Sequence, residues 1–162
     1  MVRKYKRSYS TRRPLKTVKY SNETTNVTSF VSLAVNALAS IPLITASSVQ
    51  GVRKAKNFSL KVIYAGPQPL IFTLVYVPEG QTPQAINRGS YDQPASLYEP
   101  NQNVIMSGYI VPNNSQAQTF RTRLARNLNS GDSVQLLFTC ADNSAVVTNQ
   151  LIGISLNYAI TY

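Results

Sequence analysis

Half of the chain's 16 basic residues stand in its first twenty positions, MVRKYKRSYSTRRPLKTVKY, as Arg3, Lys4, Lys6, Arg7, Arg12, Arg13, Lys16 and Lys19. None of the 6 acids falls there, and the first of them is Glu23. Lysine and arginine at this density neutralise phosphate without reading sequence, so the chemistry on offer is polyanion binding. Tyr5, Tyr9 and Tyr20 are interleaved and can stack on unpaired bases, at about 1–3 kcal/mol for each well-formed stack. Val2, Leu15 and Val18 are the only aliphatic residues in the stretch, too little apolar area to offset the entropy of ordering the backbone. Residues 1–24 are therefore expected to form a disordered basic nucleic-acid-binding arm, and 25–162 the folded domain. The bland alternatives are a solvated tail and a nuclear-import signal, and neither excludes binding. An acid-free basic N-terminus also suits a mitochondrial presequence, but the many lysines and tyrosines and Pro14 count against it.

Other chemistries lack their parts. The chain has no histidine, which removes the commonest general base and the usual metal ligand together. With one cysteine and 6 scattered acids, no zinc site or acidic metal cage can be assembled locally. Glu79, Asp92, Glu99, Asp132 and Asp142 sit beside Pro or Gly or in Asn- and Ser-rich stretches, where turns and solubility explain them. No phosphate-cradling glycine motif occurs. The residues predict no enzyme, no catalytic group, no metal and no cofactor. Cys140 lies in the apolar run VQLLFTCA and reads as a small buried hydrophobe. The Asn-x-Ser/Thr triplets at Asn22, Asn26, Asn57 and Asn113 carry no meaning without secretion, and no signal peptide is visible. No run approaches the roughly 18 apolar residues of a membrane span, so no membrane insertion is expected.

The elements behind the arm are read from period-two alternation. Asn26 to Val35 and Phe58 to Tyr64 alternate, LIFTLVYV is near-continuously apolar, and NVIMSGYIV follows after a long polar stretch, Gln81 to Asn101. That stretch is too long for an ordinary connection and reads as a functional surface loop. Pro112-Asn113-Asn114 makes a turn into QTFRTRLARNL, with Phe120, Thr122 and Leu124 on one face and Arg121 and Arg123 on the other. Ser130-Gly131-Asp132 turns into SVQLLFTCA. In the last strand Ile152, Ile154, Leu156, Tyr158, Ile160 and Tyr162 form an apolar stripe. Asn36 to Gln50 is mixed and reads as a connection with one short strand at most. No helical periodicity holds over three turns. Seven or eight β-branched and aromatic strands with Pro/Gly/Asn turns make an all-β antiparallel sandwich. Its long connections suggest a Greek-key or jelly-roll weave.

Two smaller basic groups remain. Arg121 and Arg123 share a strand face, with Arg126 beyond, and like charges so placed call for something acidic opposite: phosphate or a partner subunit. A solvated face explains them equally well. Arg53, Lys54 and Lys56 form a weaker cluster where a strand begins. Arg53, Lys54, Lys56, Arg121 and Arg123 are candidate secondary nucleic-acid or interface contacts.

Four stretches in order, VRKAKNFSL, LVYVPEG, SLYEPNQNVIMSGYI and RLARNLNSGDSVQLLF, together with the basic N-terminus, resemble the capsid proteins of eukaryotic circular single-stranded DNA viruses, the circovirus-like group. The resemblance runs from about Val52 onward. It departs in the lack of tryptophan, in the shorter chain, and in separated basic pairs where circoviruses have one dense arginine block. It implies a single jelly-roll sandwich of about eight antiparallel strands whose copies, about 60 by icosahedral symmetry, close into a small (T=1) shell. The arm would face inward onto single-stranded nucleic acid, DNA on the strength of the resemblance. It further implies a place in the virion, with passage through the host nucleus, while any surface receptor is unspecified. The competing readings are a non-assembling nucleic-acid-binding β-domain of ribosomal or single-strand-binding type, and the coat protein of a satellite RNA virus.

Overall fold

The computed structural model describes residues 19–32, 38–83, 103–141 and 149–161. The arm up to residue 18 and most of the long loop expected at Gln81 to Asn101 lie outside the described residues.

Eight strands run in chain order: β1 (Ser21–Ser32), β2 (Ala39–Ile44), β3 (Arg53–Tyr64), β4 (Leu70–Val77), β5 (Val104–Ile110), β6 (Asn114–Leu128), β7 (Ser133–Cys140) and β8 (Asn149–Ile160). They form two four-stranded sheets, ordered β1-β8-β3-β6 and β2-β7-β4-β5. Strand pairing follows one rule. β1 pairs with β8, β2 with β7, β3 with β6 and β4 with β5, all antiparallel. That is the pattern of one long hairpin rolled up, and only the connection from β4 to β5 stays within a sheet. β3 beside β8 and β4 beside β7 complete the sheets. This is a jelly-roll β-sandwich, as expected, and no helix occurs among the described residues.

The core follows from alternation. Phe58, Leu60, Val62 and Tyr64 of β3 and Ile152, Ile154, Leu156 and Ile160 of β8 meet Leu70, Phe72 and Leu74 of β4 and Leu136, Phe138 and Cys140 of β7. The run LIFTLVYV shows no alternation because both its faces are covered. Leu70, Phe72 and Leu74 join the main core, while Val75 and Val77 make a second cluster with Leu137 on the outward side. Phe72 and Phe120 tilt together across the sandwich with centroids 4.5 Å apart. A Cβ at Gly108 would come within 2.9 Å of Phe72 Cε1, so glycine lets that ring lie against β5. Arg126, which the sequence places beyond Arg121 and Arg123, turns to the other face of β6 and donates from Nη2 to the Val104 carbonyl at 3.2 Å. It thereby joins the sheet edges.

One boundary differs from the sequence reading. β1 begins at Ser21, inside the expected arm, because the whole length of β8 needs a partner: Ser21 pairs with Ile160 and Asn22 with Ala159. The mixed segment holds one short strand, β2, as the sequence reading allows, with Pro42 at a register shift, where its missing N–H is tolerated.

One end of the sandwich is tied by Asp132, which is 3% exposed. Its carboxylate accepts from the Tyr76 hydroxyl at 2.6 Å, the Asn129 amide at 2.7 Å and the Glu79 amide at 3.1 Å. The turn passes through Gly131 at φ 81°, and its amide donates to the Ser47 carbonyl at 3.0 Å. Burial alone would raise the Asp132 pKa, but the donors from Tyr76, Asn129 and Glu79 together outweigh it and hold the carboxyl below its usual value of 3.8. Burial, then the bond to Asp132, pushes Tyr76 up to about 12. With the folded pKa of Asp132 below the unfolded one, its stabilisation is complete above the unfolded value and is lost as pH falls through the folded value. Urea unfolding should therefore show stability dropping below about pH 4. Asp132→Asn should flatten that drop and cost about 1.5–3 kcal/mol at neutral pH.

Candidate nucleic-acid interface

Charge is divided unequally between the two sheets. Strands β2, β4, β5 and β7 carry no charged residue. Strand β3 carries Arg53, Lys54, Lys56 and Lys61, and β6 carries Arg121, Arg123 and Arg126. β8 has none, and Glu23 on β1 is the one acid on this sheet.

Register sorts these residues by face. Ser59 lies between Asn157 of β8 and Arg121 of β6, and Asn157 pairs with Thr24 of β1, so Thr24, Asn157, Ser59 and Arg121 make one row across the outward face. Asn26, Ser155, Lys61 and Thr119 make the next. On the other side of the first row lie Asn22, Ala159, Lys56 and Ala125. Lys54, Lys56, Lys61, Arg121 and Arg123 thus share one face. Glu23 alternates to the other side, where it accepts from the Ser21 hydroxyl at 2.8 Å. Toward the far end the face turns apolar, with Ile63, Leu151 and Phe30 exposed.

Like charges about 7 Å apart on one strand face repel by roughly 0.6 kcal/mol in water. That is small against the backbone ladder that fixes them, so the face persists. It is also uncompensated, because no ion pair is made by these five side chains among the described residues. The arrangement attracts anions and concentrates them over the sheet.

The described chain begins at this face. Lys19 is exposed, and the ring of Tyr20 lies under Lys56 Nζ at 3.6 Å from its centroid, a cation–π contact of about 0.5–1 kcal/mol at an exposed site. Of the predicted arm residues, Arg3, Lys4, Lys6, Arg7, Arg12, Arg13 and Lys16 lie outside the described residues.

The expected cluster Arg53, Lys54 and Lys56 does not survive as a cluster. Alternation turns Arg53 inward with Ala55, and its Nη2 is buried without a hydrogen-bond partner. Lys54 and Lys56 face outward with Arg121 and Arg123. Lys61 belongs to the same face, and its position between inward Leu60 and Val62 is the signal for it in the sequence. Among the described residues no three His, Cys, Asp or Glu side chains come together as metal ligands.

Fold and face together define a jelly-roll domain with one cationic sheet face and one uncharged sheet. Neither a protein-family model nor a curated protein matches the chain. Among solved structures, it is similar to one of the infectious bursal disease virus Gx strain, with a TM-score of 0.48 and 8% identity, over 91% of this chain and 32% of that one. The chain spans about a third of that chain's length, and a likeness of this degree assigns no function.

Each phosphate contact contributes about 0.7 to the slope of log affinity against log salt for a single strand. Replacing Lys54, Lys56 and Lys61 together by Ala should reduce the slope for a single-stranded oligonucleotide by about 2 and leave the urea midpoint nearly unchanged. An unaltered slope means that these three lysines make no phosphate contacts.

Proposed function

We propose that the protein is a viral coat subunit that assembles with copies of itself into a closed shell and holds single-stranded nucleic acid against its cationic side. The observation that carries this reading is the division of charge between the sheets. A container wall needs one side that attracts the polyanion and another that does not, and the jelly roll here supplies both. The basic N-terminal stretch, with Arg3, Lys4, Lys6, Arg7, Arg12, Arg13, Lys16 and Lys19, joins the fold through Tyr20, whose ring lies under Lys56 on the cationic side. Arm and sheet face therefore work on the same ligand.

The finer reading takes the resemblance to circovirus-like capsid proteins into account. The shell is a T=1 particle of about 60 copies, the cargo is single-stranded DNA bound through phosphate contacts, and the protein resides in the virion after assembly in the host nucleus. The reading includes no catalytic step, metal or cofactor.

One observation favours the non-assembling alternative. Basic residues patterned on a shared sheet face are what a single-strand-binding module uses, and the described residues carry such a pattern. Assembly separates the two readings. Negative-stain microscopy of the purified full chain should show uniform small shells, whereas monomers at every salt concentration contradict the coat reading. Removing residues 1–18 should leave shells intact but lower their nucleic-acid content, read as the 260/280 nm absorbance ratio. An unchanged ratio removes the arm from the packaging role.

A further inference from the structure

The cationic face is broken at one point. Lys56 pairs with Ala125 and Phe58 with Thr122, so Asn57 alone faces two residues of β6, Arg123 and Leu124. Toward β8, Lys56 pairs with Ala159 and Ser59 with Asn157, so Asn57 and Phe58 together face Tyr158 alone. The ladder is irregular on both sides of β3 at the same place. Asn57 takes the left-handed conformation there, φ 56°, which asparagine tolerates better than most residues. The Leu124 amide accordingly bonds the Thr122 hydroxyl at 3.2 Å.

Two depressions meet at Asn57. A groove of about 510 Å³ is lined by Asn57, Phe58, Ser59, Arg121, Thr122 and Arg123, within the range of small-ligand sites. A smaller hollow of about 160 Å³ continues from Asn57 toward β8 and β1, bordered by Asn157, Thr24 and Glu23. Polarity changes along this path, with two guanidinium groups at one end and the carboxamides of Asn57 and Asn157 beyond them. The Asn157 carboxamide oxygen accepts from the Thr24 hydroxyl at 2.6 Å, which leaves its NH₂ to donate. The side chains of Asn57, Arg121 and Arg123 make no hydrogen bond among the described residues. Backbone strain of this kind collects where a ligand is gripped.

We infer that this groove seats one nucleotide of a single strand, with its phosphate on Arg121 and Arg123 and its base edge on the carboxamides of Asn57 and Asn157. A carboxamide presents a donor beside an acceptor, the pattern that matches the N6 and N7 edge of adenine. The groove thus adds a base preference, for adenine over thymine, to binding that is otherwise blind to sequence. This rests on the nucleic-acid half of the proposed function, and assembly is not required.

The test compares the affinities of the full chain for oligo(dA) and oligo(dT) of equal length, before and after Asn57→Gly. Glycine keeps the left-handed backbone and removes the side chain with its carboxamide, so an unchanged melting temperature should confirm the fold. Contacts of the arm to phosphate are base-independent and cancel in the ratio. The dA/dT ratio should fall by about fivefold or more in Asn57→Gly, the lower end of discrimination by a bidentate pair, while the salt slope stays the same. Arg121→Ala with Arg123→Ala should instead reduce the slope by about 1.4. An unchanged ratio in Asn57→Gly overturns the groove assignment and leaves the coat reading standing. Failure of the full chain to bind either oligonucleotide overturns both.

Discussion

Backbone hydrogen bonding between β3 and its neighbours β6 and β8 holds the functional reading together. Alternation along a strand decides which side chains share a face, and register between strands decides which of them become neighbours. A slip of one residue in β3 against β6 would turn Lys54, Lys56 and Lys61 toward the core and Leu60 and Val62 toward water. Burial of Phe58, Leu60, Val62 and Tyr64 therefore fixes the cationic face as firmly as it fixes the core. The repulsion among five like charges is the smaller quantity. It leaves the face intact and ready for an anion.

The rolled-hairpin topology gives that face its context. Because six of the seven connections pass from one sheet to the other, neighbours in sequence end up on opposite sheets. The charged segments β3 and β6 come together on one sheet, and the uncharged β2, β4, β5 and β7 gather on the other. The sandwich is closed by short-range devices: Arg126 on the Val104 carbonyl, the Asp132 network at one end, and the Gln118 amide, which meets both backbone groups of Val111 at 2.9 and 3.0 Å. None of these uses the outward cations, which stay available to a ligand.

Alternation and turn chemistry make much of the fold legible before the structure is known. The stripe from Ile152 to Ile160, the run at Leu70–Val77, and the turns at Asn113 and Gly131 all fall where residue types place them. The start of β1 does not, because Ser21 to Asn26 has no apolar period and is a strand only because β8 extends beside it. The grouping of Arg53 with Lys54 and Lys56 followed nearness in sequence, while the strand separates them by face. Lys61 looks isolated in the chain, and it joins Arg121 only through pairings between distant segments. The irregularity at Asn57 is invisible for the same reason, since an asparagine inside an alternating stretch reads as an ordinary strand residue.

The most direct test of the central claim is lysine acetylation of the full chain, mapped by mass spectrometry with and without a single-stranded oligonucleotide. If the outward face of the β1-β8-β3-β6 sheet meets the polyanion, Lys54, Lys56 and Lys61 lose reactivity together with the lysines of the N-terminal stretch. Protection confined to Lys4, Lys6, Lys16 and Lys19, with the three β3 lysines reacting as in the free protein, contradicts the account.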